Sequence, residues 1–191
     1  MSALISPDQI GALRDRTPSI MKLKLTELEV TQYWNVIFSP PGIASLTKQD
    51  MTGFLSYRQN KRWRELSKED VTADMEALRR ALAELVDETR PVAERLNNLE
   101  PGRGPLAVPH LGKAKLSAIL LVKYPRHYGV WNDYSERALT GMGLMPAFAP
   151  GSHLGDQYAA VNRVLVDLAE QYRVTLWWLD VILEQLARLV R

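Results

Sequence analysis

Cysteine is absent from this sequence, which excludes a disulfide framework, a thiolate nucleophile and a cysteine-ligated metal. That absence fits a reducing compartment, and cytoplasmic placement is expected. The three histidines, His110, His127 and His153, show no short ligand spacing, so no metal is expected. No GxxxxGK[ST] stretch is present, which rules out ATP hydrolysis on a Walker loop, and no cofactor is expected. No apolar run approaches the roughly 20 residues that span a bilayer. The opening MSALISPDQIG carries no basic region followed by a hydrophobic signal core, so no membrane partner is expected. Convincing strand alternation is missing too, and the expected class is all-α, a compact multi-helix domain.

Net charge is small, +2 over 191 residues, far from that of a protein that coats nucleic acid. Its distribution is more informative. Residues 48–64 set Lys48, Arg58, Lys61, Arg62 and Arg64 against Asp50, and residues 103–137 set six cations against Asp133 and Glu136; each segment is net +4. Local positive patches thus coexist with a nearly neutral whole. The length suits one core or two packed lobes. The expectation is one globular helical domain over 1–191, with lobes 1–100 and 105–191 as the alternative, since Pro101–Pro105 is the best internal boundary.

Along the chain, Ser6-Pro7-Asp8-Gln9 predicts a short first helix. Leu23 to Phe38 reads as a helix with a Thr26/Glu29 start, closed by Ser39-Pro40-Pro41-Gly42. Thr47 and Asp50 predict a cap for a helix with Met51, Phe54 and Leu55. Its continuation, SYRQNKRWREL, reads either as a basic helix end favoured by the dipole or as a phosphate-binding patch with Tyr57 and Trp63 beside it. Residues 70–90 place Val71, Met75, Leu78, Leu82, Leu85 and Thr89 at spacings of three and four, a clear helical stripe. Pro91 marks a kink or a new start, carrying on through Val92, Leu96 and Leu99. After a Gly/Pro-rich excursion over 141–155, one long helix starts near Leu154 or Asp156, and Thr175 caps a last one.

The stretch from about Pro109 to Leu139 organises the rest. Pro109-His110-Leu111-Gly112 is a turn signal, and Leu116, Ile119 and Leu120 share one face of the helix that follows. Gly112 can supply a positive φ, presenting free amide N–H groups with Lys113 and Lys115 beside them, an arrangement suited to phosphate. Lys123, Tyr124, Arg126, His127, Tyr128 and Trp131 form a basic-aromatic segment, and Asn132 or Ser135 starts the next helix. Trp131 reads as a base-stacking platform or a structural anchor, and His127 as a phosphate contact or a helix-exit hydrogen bond.

LGKAKLSAILLVKYPRHYGVWNDYSERAL resembles a segment of helical modules associated with modified-DNA restriction systems, sometimes beside McrB-like ATPase domains. Gly112, Tyr124-Pro125, Tyr128-Gly129-Val130, Trp131-Asn132 and Ser135-Glu136 carry the pattern. VTADMEALRRALAELVDETRPVAERL at 71–96, the Tyr158 helix and LWWLD at 176–180 extend it to about 50–191. The resemblance implies a defence setting in which cutting or nucleotide turnover belongs to a partner such as an ATPase or nuclease subunit. Val108-Pro109-His110-Leu111-Gly112 also resembles, more distantly, the hairpin of helix-hairpin-helix DNA glycosylases, with a hairpin-like element near 108–123. There His110 replaces the first glycine, Asp133 or Asn132 stands in the slot of the catalytic aspartate, and neither Lys113 nor Lys115 aligns with the lysine nucleophile.

A glycosylase-like enzyme would need Asp133 to activate water or to stabilise a cationic sugar; otherwise Asp133 simply caps the following helix. The favoured expectation is a non-enzymatic DNA-binding or recruitment module. Its candidate contacts are Gly112, Lys113, Lys115, Lys123, Arg126, His127 and Trp131, extended by Arg58, Lys61, Arg62 and Arg64. The expected partner is duplex DNA, with a protein-docking domain as a further alternative.

Overall fold

The computed structural model describes residues 6–16, 20–56 and 65–189. Among them all regular structure is helical: α1 (Asp8–Arg16), α2 (Ile20–Ile37), α3 (Pro40–Ala44), α4 (Lys48–Ser56), α5 (Glu65–Val71), α6 (Met75–Val86), α7 (Val92–Asn98), α8 (Lys113–Lys123), α9 (Asp133–Gly141), α10 (Leu154–Tyr172) and α11 (Leu176–Ala187).

α8 sits at the centre. Every residue from Lys115 to Val122 is buried, as expected for a helix that is apolar nearly all round. Leu116, Ile119 and Leu120 are fully buried, and Leu121 and Val122 nearly so; each such side chain contributes roughly 1.5–3 kcal/mol. α2 and α6 pack against α8, α7 lies along α10, and α9 lies along α11. One continuous core runs from Ile10 to Ala187, drawing on helices on both sides of the Pro101–Pro105 turn.

Capping chemistry sets most boundaries. Thr47 and Asp50 exchange side-chain and backbone hydrogen bonds at the start of α4. Thr175 Oγ1 accepts from the Trp178 N–H at the start of α11. Three expectations need correction. The stripe over 70–90 is not one helix: Val71 closes α5, Asp74 caps α6 by accepting from the Glu76 and Ala77 amides, α6 stops at Val86, and Thr89 is exposed. Asp74 competes for backbone amides better than helix continuation does. Thr26 lies inside α2, which begins at Ile20 and therefore not at a Thr26 cap. Ser39 does more than end α2, because its hydroxyl caps the short α3.

The turn before α8 also differs. Gly112 is the N-cap with φ −95° and ψ −172°, an extended conformation open to any residue. His110 carries the positive φ, +61°. Residues 99–112 between α7 and α8 contain no helix.

Candidate nucleic-acid interface

α8 places its lysines mostly inward. Lys113 Nζ is paired with the Glu136 carboxylate of α9 and lies 4.5 Å from the centroid of the Trp131 ring. Lys115 is only 9% exposed, and its ammonium donates to the His110 carbonyl at 2.8 Å. Burial holds its pKa below the ordinary lysine value. Lys123 Nζ donates to the backbone and side-chain oxygens of Asn35, both at 3.3 Å, while the Asn35 amide donates back to the Lys123 carbonyl at 2.7 Å. Burial lowers the Lys123 pKa, partly opposed by Glu88. Trp131 is 3% exposed, packs on Phe148 and donates its backbone N–H to Ser117 Oγ. Its indole is a core anchor.

Arg126 and His127 face outward on a loop held rigidly from beneath. Tyr124 donates to the Val86 carbonyl at 2.6 Å, and Tyr158, fully buried, donates to the Gly129 carbonyl at 2.9 Å. Asn162 of α10 donates to the His127 carbonyl and accepts from the Gly129 N–H. The His127 ring stacks on Tyr124 with 12° between planes, and its Nδ1 lies 3.8 Å from Glu88. Arg126 also lines an open groove of about 650 Å³ between α2, α10 and the start of α11, together with Leu28, Arg173, Glu27 and Glu170.

Asp133 is exposed at the first position of α9. The cap is Asn132, whose Oδ1 accepts from the Tyr134 and Ser135 amides while its Nδ2 donates to Asp180 at 3.2 Å. Asn132 is thus tied into structure on both sides of its amide. Arg58, Lys61, Arg62 and Arg64, with Tyr57 and Trp63, lie outside the described residues. The ends that bracket them do not. α5 begins at Glu65, and at its far end Asp70 Oδ2 lies 3.3 Å from His110 Nε2. A helix of seven residues is only about 10 Å long. The 108–112 turn therefore adjoins the helix into which the 57–64 segment runs.

Two participants escape a sequence reading. Arg95 is 1% exposed; its guanidinium donates to the Leu85 carbonyl at 2.6 Å and to the Tyr128 hydroxyl at 2.7 Å. The signal for it was available, since Arg95 stands three residues after Val92 on the apolar stripe of α7. Asn162 gave no such signal. Among the described residues no group of three or more His, Asp or Glu side chains is placed to hold a metal ion, and no helix is long and apolar enough to cross a membrane.

No family model matches the chain, and no curated protein or solved structure is detectably similar to it.

Proposed function

We propose that this chain is a non-enzymatic module that binds the phosphate backbone of duplex DNA through the basic residues of the 57–64 segment, with the 108–112 turn beside the helix that follows that segment in the chain. The observation that carries the reading is the His110–Asp70 contact. It brings the second basic segment of the sequence to the helix that follows the first. Residues 57–64 hold Arg58, Lys61, Arg62 and Arg64 with no carboxylate. Two nearby acids are already balanced, Glu69 by Lys48 and Glu136 by Lys113. Arg126 and His127 add an outward pair on the rigid loop after α8.

Contacts of this kind position DNA without reading its sequence. Turnover then belongs to another subunit, and the resemblance to modules of restriction systems points to an ATPase or nuclease partner. Alanine at Arg58, Lys61, Arg62 and Arg64 together tests the assignment. The variant is expected to bind duplex at least tenfold more weakly at low salt, with the slope of log affinity against log salt reduced by up to about 0.9 for each cation that contacts a phosphate. Unchanged affinity in a folded variant overturns it.

A further inference from the structure

Lys115 stands out as a buried cation at the entry to the central helix. A lysine in the interior loses hydration, and such groups persist where a compensating partner is fixed nearby. Here the ammonium meets the carbonyl of His110 at 2.8 Å, and His110 is one of two non-glycine residues with positive φ among the described residues, the other being Arg173. A side chain with a Cβ pays about 1 kcal/mol or more to remain in the left-handed region. The same residue turns its imidazole outward to Asp70. One residue thus joins an internal cation at its carbonyl to α5 at its ring, and the lowered pKa of Lys115 agrees with an ammonium withdrawn from solvent.

We infer that Lys115 is a positioning residue: its ammonium holds His110 in the left-handed turn, and through the His110–Asp70 contact it fixes α5 against the entry of α8, without itself touching nucleic acid. The inference rests on the proposed DNA binding for its functional consequence, and on the turn alone for its structural one. It assigns to Lys115 a different task from Lys113, whose ammonium lies between Glu136 and the Trp131 face, and from the exposed Arg126.

The experiment combines thermal unfolding with binding of a fluorescein-labelled 20-base-pair duplex over a salt series, for wild type, Lys115→Met, His110→Gly and the double variant. Methionine keeps the alkyl stem and removes the charge and donors; glycine takes up positive φ without a Cβ penalty. Lys115→Met is expected to lower the melting midpoint by about 4 °C or more and to weaken duplex binding about fivefold or more, with the salt slope unchanged. In the His110→Gly background the same substitution should cost less than half as many degrees. A slope reduced by about 0.9 in Lys115→Met would mark a direct phosphate contact and overturn the inference, as would additive melting shifts. If Lys115→Met does not fold, a folded double variant supports the inference and an unfolded one contradicts it. Failure of wild type to bind duplex would remove the proposed function, while the melting shifts would still decide the role of Lys115 in the turn.

Discussion

The Tyr128 hydroxyl accepts from the buried Arg95 guanidinium at 2.7 Å and donates to Glu88 Oε1 at 2.9 Å. A phenol thereby links a cation in the core to a carboxylate at the surface, and the loop that carries Arg126 and His127 is anchored on that link. Burial and the hydrogen bond to Glu88 both raise the Tyr128 pKa. Replacing Tyr128 by Phe leaves one Arg95 nitrogen without this acceptor and should cost about 1–3 kcal/mol. Urea unfolding at neutral pH measures it, and an unchanged midpoint would show that the link carries little.

Asn132 and Asp133 are neighbours with opposite expected behaviour. Asn132→Ala removes the cap of α9 and the contact to Asp180, and should cost about 1–2 kcal/mol. Asp133→Asn alters an exposed side chain and should stay within about 0.5 kcal/mol. The same pair tests the enzyme alternative. Wild type incubated with damaged or modified duplexes should form no abasic sites; product formation abolished by Asp133→Asn would establish the glycosylase reading instead.

Alkaline stability follows from the tyrosines. Burial raises the pKa of Tyr124, Tyr128 and Tyr172, and holds that of the fully buried Tyr158 well above the ordinary tyrosine value. Above about pH 10 the unfolded chain releases phenolic protons that the folded chain retains. The folded state then holds more protons, and these groups make stability fall as pH rises. Lys115 and Lys123, with lowered pKa values, act in the opposite direction over the same range. Comparison with Tyr158→Phe cancels the lysines. The variant should be less stable at pH 8, for want of the bond to Gly129, yet lose less on going to pH 11.

Gly155 permits the approach of α10 to α7. A Cβ there would fall 1.8 Å from the Ala93 carbonyl oxygen, so Gly155→Ala must displace backbone and should cost about 1–3 kcal/mol. Circular dichroism with denaturant unfolding reads this directly, and an alanine variant of native stability would refute the close packing.

The helical class, the caps at Thr47 and Thr175 and the long helix from Leu154 were legible because short-range rules decide them. Other features were set by tertiary packing. Leu116, Ile119 and Leu120 suggested one apolar face, but α8 is surrounded, and that is why Lys115 is buried instead of solvated. His110, not Gly112, takes the left-handed turn, because its carbonyl and imidazole both have partners that sequence spacing cannot reveal. Of the candidate contacts, Arg126 and His127 face outward, whereas Trp131 buries its indole in the core. The break at Thr72–Asp74 interrupts a perfect apolar stripe, and only the Asp74 cap, three residues after Val71, hinted at it.

The most direct test of the DNA-binding account is fluorescence anisotropy with matched duplex DNA, single-stranded DNA and RNA across a salt series. The account predicts that duplex binds best, that its affinity falls steeply as salt rises, and that alanine at residues 58, 61, 62 and 64 removes most of that dependence. Absence of duplex binding at low salt, or binding indifferent to salt, would contradict it.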